Sequence, residues 1–376
     1  MKNKSSLSIV KIVFFIFSFG IYSCHADSKV SGPSAFSSTT IHKVCPKISR
    51  NKVSRNKVLR SKNISDEYVW VEEKTNPFSE LIVSWNARRP IRGQFDFYVS
   101  IGNPKLFIGG WSPWRKLAEW GVNGQKTLSS AKDRLVHVKH VRVEMQRGAR
   151  GRGYKVKVVA RNGAELKDVK TFFANQSYSQ NFKTISVSKD LPSFVLHNVP
   201  RQSQMKVKHK RCGDFCSPTS TSMIVRYFNN KFNKDIKQSP LDEQVKTFAR
   251  KAHDDNYLDI YGNWILNSAQ AYNDSFGKVA YRVERLNSFD ELYRYLKKGI
   301  PVAVSIRGWL RGGYKNYKDG HFVVVVGWSQ KRRAVICIDP VFRSWGKMLR
   351  AYKENDFLKA WGKSRNLSYI AAPLVF

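Results

Sequence analysis

Cys212-Gly-Asp-Phe-Cys216-Ser-Pro-Thr-Ser-Thr-Ser-Met-Ile-Val-Arg-Tyr-Phe228 reads as a cysteine set at the first turn of an amphipathic helix. Ser217 and Pro218 are start signals, because proline fits the first helical turn, where its missing N–H has no partner to lose. Met223 with Tyr227, and Ile224 with Phe228, repeat four apart on one apolar face, so the spacing predicts a buried helix beginning at Cys216. A helix start carries about half a positive charge and free N–H groups, which favour a thiolate and can hold a developing oxyanion. One position therefore supplies a nucleophile and electrophilic support for it.

The 376 residues are 42% hydrophobic and 13% aromatic, enough for packed cores and against a disordered chain. Lys2, Lys4 and Lys11 precede an apolar run from Ile12 to Tyr22, which has the length of a signal-peptide core and is too short to span a bilayer. Residues 1–26 are thus expected to be an export signal cut after Ala26, placing the protein in the periplasm, the cell envelope or the extracellular space. Ile21-Tyr-Ser-Cys24 also reads as a lipoprotein box in which Cys24 would be acylated. Export implies an oxidising compartment, so the mature cysteines Cys45, Cys212, Cys216 and Cys337 need an account, either as two disulfides or with Cys216 kept free.

A formal net charge of +38, spread along the whole chain, predicts non-specific contact with polyanions and the envelope surface. With no helix-turn-helix, zinc-finger or aromatic-platform motif, a specific nucleic-acid site is not expected. Residues 27–65 are basic, lack an acid after Asp27, and repeat Ser49-Arg-Asn-Lys-Val53 as Ser54-Arg-Asn-Lys-Val58, which predicts a disordered linker.

Residues 66–195 carry short alternating runs such as Phe95/Phe97/Val99/Ile101 and Tyr154/Val156/Val158/Ala160, the pattern of an antiparallel β-sandwich. Trp111, Trp114 and Trp120 cluster there, as core or as a sugar-stacking platform. Arg147-Gly-Ala-Arg-Gly-Arg-Gly153 reads as a hairpin turn more simply than as an RNA-binding tract. From residue 196 to 376, helical spacing at 242–253, 264–272 and 288–297 gives way to strands at 301–306, 320–328 and 334–339, an α+β domain.

A thiolate nucleophile needs a base, and the base needs an orienting partner. His321 opens the apolar run Phe322-Val-Val-Val-Val-Gly-Trp328, and a second run, Ala334-Val-Ile-Cys-Ile338, ends in Asp339-Pro340. A hairpin turning about Gln330 would set His321 directly opposite Asp339, with Cβ atoms roughly 4.5–5.5 Å apart. Gln204, with Gln202 as its neighbouring rival, would add a side-chain amide to the Cys216 backbone N–H as oxyanion donors. Gly262-Asn-Trp264 either lines the substrate cleft through Asn263 and Trp264, or supplies a helix cap and a core residue.

Together, Gln204-Met205, Cys216-Ser-Pro-Thr-Ser-Thr-Ser-Met223, Gly262-Asn-Trp264 with Asn267, Gly299-Ile-Pro-Val302, Gly320-His-Phe-Val-Val-Val-Val-Gly327 and Ile338-Asp-Pro340 resemble the secreted bacterial papain-like cysteine peptidases akin to the double-glycine (bacteriocin-leader) peptidases. The resemblance runs from Val199 to Pro373. It implies a papain-like peptidase domain with Cys216 as nucleophile, His321 as base, Asp339 as orienter and Gln204 as oxyanion donor, acting on a peptide or peptidoglycan-type substrate. Such chemistry needs no cofactor, and His209, Cys212, Cys216 and His321 lack a recognised zinc spacing. An acyl transferase would use the same residues with an amine in place of water. The reading from another class is an envelope glycan- or polyanion-binding protein on an inactive peptidase scaffold.

Overall fold

The structure is a computed structural model that describes residues 36–44, 66–130, 134–256 and 258–374. Its first half contributes strands β1 (Ser37–Lys43), β2 (Glu67–Glu72), β3 (Glu80–Ala87), β4 (Gln94–Gly102), β5 (Arg115–Gly121), β6 (Gly124–Thr127), β7 (Ser129–Ser130), β8 (Val136–Lys139), β9 (Arg142–Met145), β10 (Gly153–Arg161) and β11 (Val169–Ser177). They pair in two antiparallel sheets, ordered β1-β11-β3-β9-β8-β7 and β2-β10-β4-β5-β6. Strand alternation buries Phe95, Phe97, Val99 and Ile101 of β4 beside Tyr154, Val156 and Val158 of β10. Trp85 of the first sheet stacks on Phe97 of the second at 4.0 Å, and Phe172 meets the same ring edge-on at 5.8 Å, so the inner faces share one core.

Two expectations for this half change, and one left open is decided. The linker expected over 27–65 contains a strand: β1 pairs along its whole length with β11. Ser-Ser-Thr-Thr-Ile-His-Lys has little apolar surface, but edge pairing satisfies its backbone, and its polar side chains find partners: Thr40 Oγ1 accepts from Gln176 Nε2 at 3.3 Å, Asn175 Nδ2 donates to Ser37 Oγ at 2.7 Å and Thr39 Oγ1 at 2.9 Å, and His42 Nε2 lies 2.7 Å from the Tyr154 hydroxyl. The tandem repeat at 49–58 and the segment 1–26 lie outside the described residues. Arg147–Gly153 is no hairpin turn, because β9 belongs to the first sheet and β10 to the second; the glycine-rich tract carries the chain across, with Arg147 and Gly148 at positive φ. Of the three tryptophans, Trp120 is core while Trp114 is 39% exposed.

The second half runs β12 (Phe194–Val195), α1 (Cys216–Phe232), α2 (Leu241–Ala252), α3 (Trp264–Asp274), β13 (Val279–Arg285), α4 (Phe289–Lys297), β14 (Val302–Gly308), β15 (Tyr317–Ser329), β16 (Ala334–Ile338), α5 (Trp345–Met348), β17 (Leu349–Lys353), α6 (Glu354–Gly362) and β18 (Leu367–Pro373). Its antiparallel sheet is ordered β13-β18-β14-β15-β16-β17, with β12 added against β15. The chain as a whole mixes helices with mostly antiparallel sheets. No helix among the described residues is long and apolar enough to cross a membrane.

The halves are packed against each other. Asn86 of β3 exchanges two hydrogen bonds with the Tyr281 backbone of β13, at 2.9 and 2.8 Å, and Glu80 is ion-paired to buried Arg285. Thr127 of β6 bonds the Asp254 carboxylate, and one hydrophobic cluster runs from Phe78 and Trp85 through Met223 and Phe228 to Tyr369. Buried polar contacts of this kind are costly to expose, so the first half acts as a wall of the second.

Candidate active site

Helix α1 starts at Cys216, as the start signals predict. A short 3-10 turn over Cys212–Asp214 and the buried Phe215 ring lead into it. Met223, Ile224, Val225 and Phe228 bury the helix face. Ser220 Oγ donates to the Phe322 carbonyl at 3.2 Å, and Ser217 Oγ lies 3.1 Å from the Tyr369 hydroxyl. These two contacts clamp the first turn to β15 and β18, and the half-buried Cys216 side chain opens into a cleft.

His321 lies on β15, buried, with Nε2 2.7 Å from Asp339 Oδ1. The pair forms, but not in the expected register. Val324 faces Ile338 and Val325 faces Cys337, with a bulge before Gly327, so on the site side of the bulge the hairpin is slid by two residues and Asp339 stands diagonal to His321 rather than opposite. A slip of two keeps every side chain on its face, and a diagonal neighbour is still within reach of long side chains. A slip of one would have separated the pair.

Asp339 is fully engaged. Oδ1 also accepts the Val341 N–H at 3.1 Å, and Oδ2 accepts the Tyr352 hydroxyl at 2.7 Å. Burial alone would raise its pKa, but His321 and these donors hold it below the ordinary 3.8. Burial alone would likewise keep the imidazole neutral, yet the Asp339 carboxylate and the Cys216 side chain outweigh it and push His321 from 6.5 up to about 10. With Nε2 on Asp339, Nδ1 is the nitrogen left for the Cys216 side chain, whose proximity helps hold the proton on the ring. Tyr317 stacks on the imidazole at 4.3 Å and 9° and fixes its plane.

Residues 196–369 match the Peptidase_C39 like family.

The C39-like segment thus contains all three converging side chains, and the match supports a peptidase. No curated protein matches the chain. Among solved structures, a Bacillus anthracis protein described as a C39-like peptidase aligns with 50% of this chain and 100% of its own at 17% identity and a TM-score of 0.36.

Within the C39-like segment the remaining expected residues fare unequally. Gln204 is buried, and its Nε2 donates to the carbonyls of Gly213 at 2.7 Å and Cys212 at 3.3 Å, while its own backbone N–H bonds the Pro340 carbonyl at 2.8 Å. It therefore ties the turn before Cys216 to the strand end at Asp339. Asn263 is a correction: it is buried at 0% exposure, its Oδ1 caps α3 at Leu266 N–H, and its Nδ2 bonds Thr127 and Asp254. No polar atom is left for a substrate, because the capping role takes the side chain inward. Trp264 is half-buried and does line the cleft.

Cys212 and Cys216 are free and unbridged, and Cys337 is free and buried; Cys45 lies outside the described residues. Burial, then Asp339, pushes the Cys337 thiol well above its usual pKa, an inert setting. Among the described residues no group of three or more His, Cys, Asp or Glu is arranged to hold a metal. His209 is used structurally, its Nδ1 accepting the Arg211 N–H at 3.1 Å and its ring stacked on Phe215.

The cleft beneath Cys216 has a volume of about 1110 Å³. One wall is Asp259–Gly262 and Trp264, a second is the segment from Lys315 to Gly320, and a third comes from the first half, Lys139 to Arg142 of the β8–β9 turn. Two kinds of site residue had escaped the sequence reading. Tyr317, two alternations before His321 on the same strand face, carried a usable signal; Tyr352 and the Lys139–Arg142 wall reach the site only through sheet pairing and half-to-half packing.

Proposed function

We propose that the chain is an exported cysteine peptidase of papain-like arrangement, hydrolysing peptide or amide bonds through Cys216, His321 and Asp339. The observation that carries this reading is the His321 ring, bonded through Nε2 to Asp339 and electrostatically coupled to the Cys216 side chain that begins α1. Cys216 Sγ attacks the substrate carbonyl carbon, and the carbonyl electron pair moves to oxygen. The Cys216 backbone N–H and the Gln204 amide, turned from the Gly213 carbonyl, receive that oxyanion. The imidazolium gives its Nδ1 proton to the leaving amine, the C–N bond breaks, and a thioester remains. Water, deprotonated by the same nitrogen, resolves the thioester to an acid and restores the thiol and imidazole pair. Asp339 holds the ring plane and charge throughout.

The thiol test is direct: an iodoacetamide-type or epoxide probe near neutral pH should label Cys216 ahead of Cys212 and Cys337, with labelling and hydrolysis lost together. Equal labelling of Cys212 and Cys216, with hydrolysis surviving both, would sink the reading. Export follows from the Lys-headed apolar run at 2–22, with the substrate a peptide or peptidoglycan-type polymer met outside the cytoplasm.

A second, surface-binding role has one observation in its favour: Lys155 and Lys157 lie over the half-exposed Trp111 and Trp114 rings at 4.0 and 4.9 Å. An anionic glycan could stack on such a face. Because the halves share a core, the informative variant is Trp114→Ala rather than removal of the first half; unchanged pull-down on envelope polymers would end this reading.

A further inference from the structure

Beside the Cys216 cleft lies a second hollow of about 90 Å³, and the two share Arg142, Trp264 and Arg307. The smaller hollow is lined besides by Arg285, Lys363 and Arg365, so five cations surround one indole. Two of the guanidiniums, Arg142 and Arg285, sit over the Trp264 ring at 5.5 and 5.8 Å.

The carboxylates that reach these cations do not balance them. Glu80, 1% exposed, accepts Arg285 through both oxygens, Arg365 at 3.1 Å and Arg142 at 3.3 Å. Glu144 takes Arg142 at 2.7 Å and Lys139 at 2.6 Å. Arg307 and Lys363 have no ion pair or side-chain hydrogen bond among the described residues, and both are exposed toward the hollow. Their positions are set by backbone with no side chain in the way. A Cβ at Gly308 would come within 2.6 Å of Lys363 Nζ, and Gly320, next to His321, faces Arg307 Nε at 3.7 Å. Burial, and to a smaller degree the neighbouring Arg365 and Arg142, lowers the proton affinity of Arg285 despite Glu80. Cations gathered in a concave site focus their field on one ligand charge.

We propose that this hollow is a subsite for a carboxylate of the peptide substrate, with Arg307 and Lys363 as its direct donors and Trp264 as its floor. Arg285 is excluded as a donor, since its N–H groups go to Glu80 and to the carbonyls of Ser364 and Arg365 at 2.6 and 3.1 Å. It contributes charge from beneath. The ligand carboxylate can belong to an acidic side chain or to a free peptide terminus, and the first half of the chain, through Arg142, builds part of the pocket. The subsite rests on the peptidase reading for its role in turnover but not for its binding.

The experiment compares three peptides of equal length at near-physiological salt: one with an internal Glu and an amidated terminus, one with Gln there and a free terminus, and one with Gln and an amidated terminus. Binding is read by fluorescence anisotropy on the Cys216→Ala protein and turnover as kcat/KM on the unsubstituted protein. One charged peptide should exceed the uncharged one by roughly ten- to a hundredfold, the magnitude of a charge-assisted hydrogen bond pair, and which one identifies the source. Arg307→Ala with Lys363→Ala should bring that ratio toward one. Lys331→Ala with Arg332→Ala, removing the same charge from the exposed β15–β16 turn, should leave it in place. A ratio near one in the unsubstituted protein, or an equal fall in both double variants, overturns the subsite. Hydrolysis without acidic preference would leave the peptidase reading standing and remove the subsite; selective binding without hydrolysis would do the reverse.

Discussion

The buried charges around Glu80 and around Asp339 make an informative contrast. Each centres on one carboxylate at or near zero exposure, reached by several donors. At Glu80 the donors are the guanidiniums of Arg285, Arg365 and Arg142 and the Ser177 hydroxyl at 3.2 Å, and the cluster joins β3 to β11, to β13 and to the turn before β18. At Asp339 the donors are Tyr352, the Val341 N–H and one nitrogen of His321, whose other nitrogen turns to Cys216. The first cluster holds two halves of the molecule together because nothing in it is free to react. The second is suited to chemistry because one nitrogen is left over, in a ring that its neighbours prevent from moving.

The largest break in that contrast is Cys216→Ala, which should lower hydrolysis by roughly 10⁴-fold or more while leaving thermal stability near that of the parent, measured by progress curves and melting. Glu80→Ala should do the opposite kind of damage. It strands Arg285 as a buried unpaired charge, and urea unfolding should show a loss of about 3–5 kcal/mol. If Glu80→Ala left stability unchanged, the two clusters would not differ in the way described.

The pH response sharpens the comparison. His321 is held above its unfolded value, so its contribution to stability is complete below pH 6.5 and lost as pH rises through about 10. Asp339 is held below 3.8, so its contribution is present above that value and lost as pH falls through the lower folded one. Melting temperature should therefore fall on the alkaline side, and Asp339→Asn should flatten that slope by removing the charge that raises His321. An alkaline slope identical in both proteins would refute the coupling. The smallest expected effect is that of Tyr352→Phe, which removes one hydrogen bond to a buried charge, worth about 1.5–3 kcal/mol in stability, and loosens the ring enough to lower kcat more than it changes KM.

Much of the Asp339 cluster was legible along the chain. Pro218 and the four-apart apolar pairs mark where α1 begins, and the apolar runs after His321 and before Asp339 mark two strands. The register was misplaced by two residues, because the bulge at Val325/Gly327 and the turn at Gln330–Arg333 are set by packing rather than by a local motif. The pairing survived because two is the period of a strand. Asn263 was open between cap and cleft, and only the neighbours Thr127 and Asp254, distant in sequence, decide for the cap. β1 escaped detection because its stabilisation is the free edge of β11, not its own side chains.

By itself the amino-acid order determined which atoms could react: a thiol at a helix start, an imidazole on a strand and a carboxylate at a strand end, and a surplus of positive charge. Those follow from local periodicity and side-chain chemistry, which act over a few residues. Tertiary structure alone decided which nitrogen of His321 meets Cys216, that Tyr317 and Tyr352 fix the ring and its carboxylate, and that Arg142 from the first half shares a pocket with Arg307 and Lys363. Such arrangements depend on register, sheet order and the packing of two halves, and no short-range rule encodes the energy of a contact between residues more than a hundred positions apart.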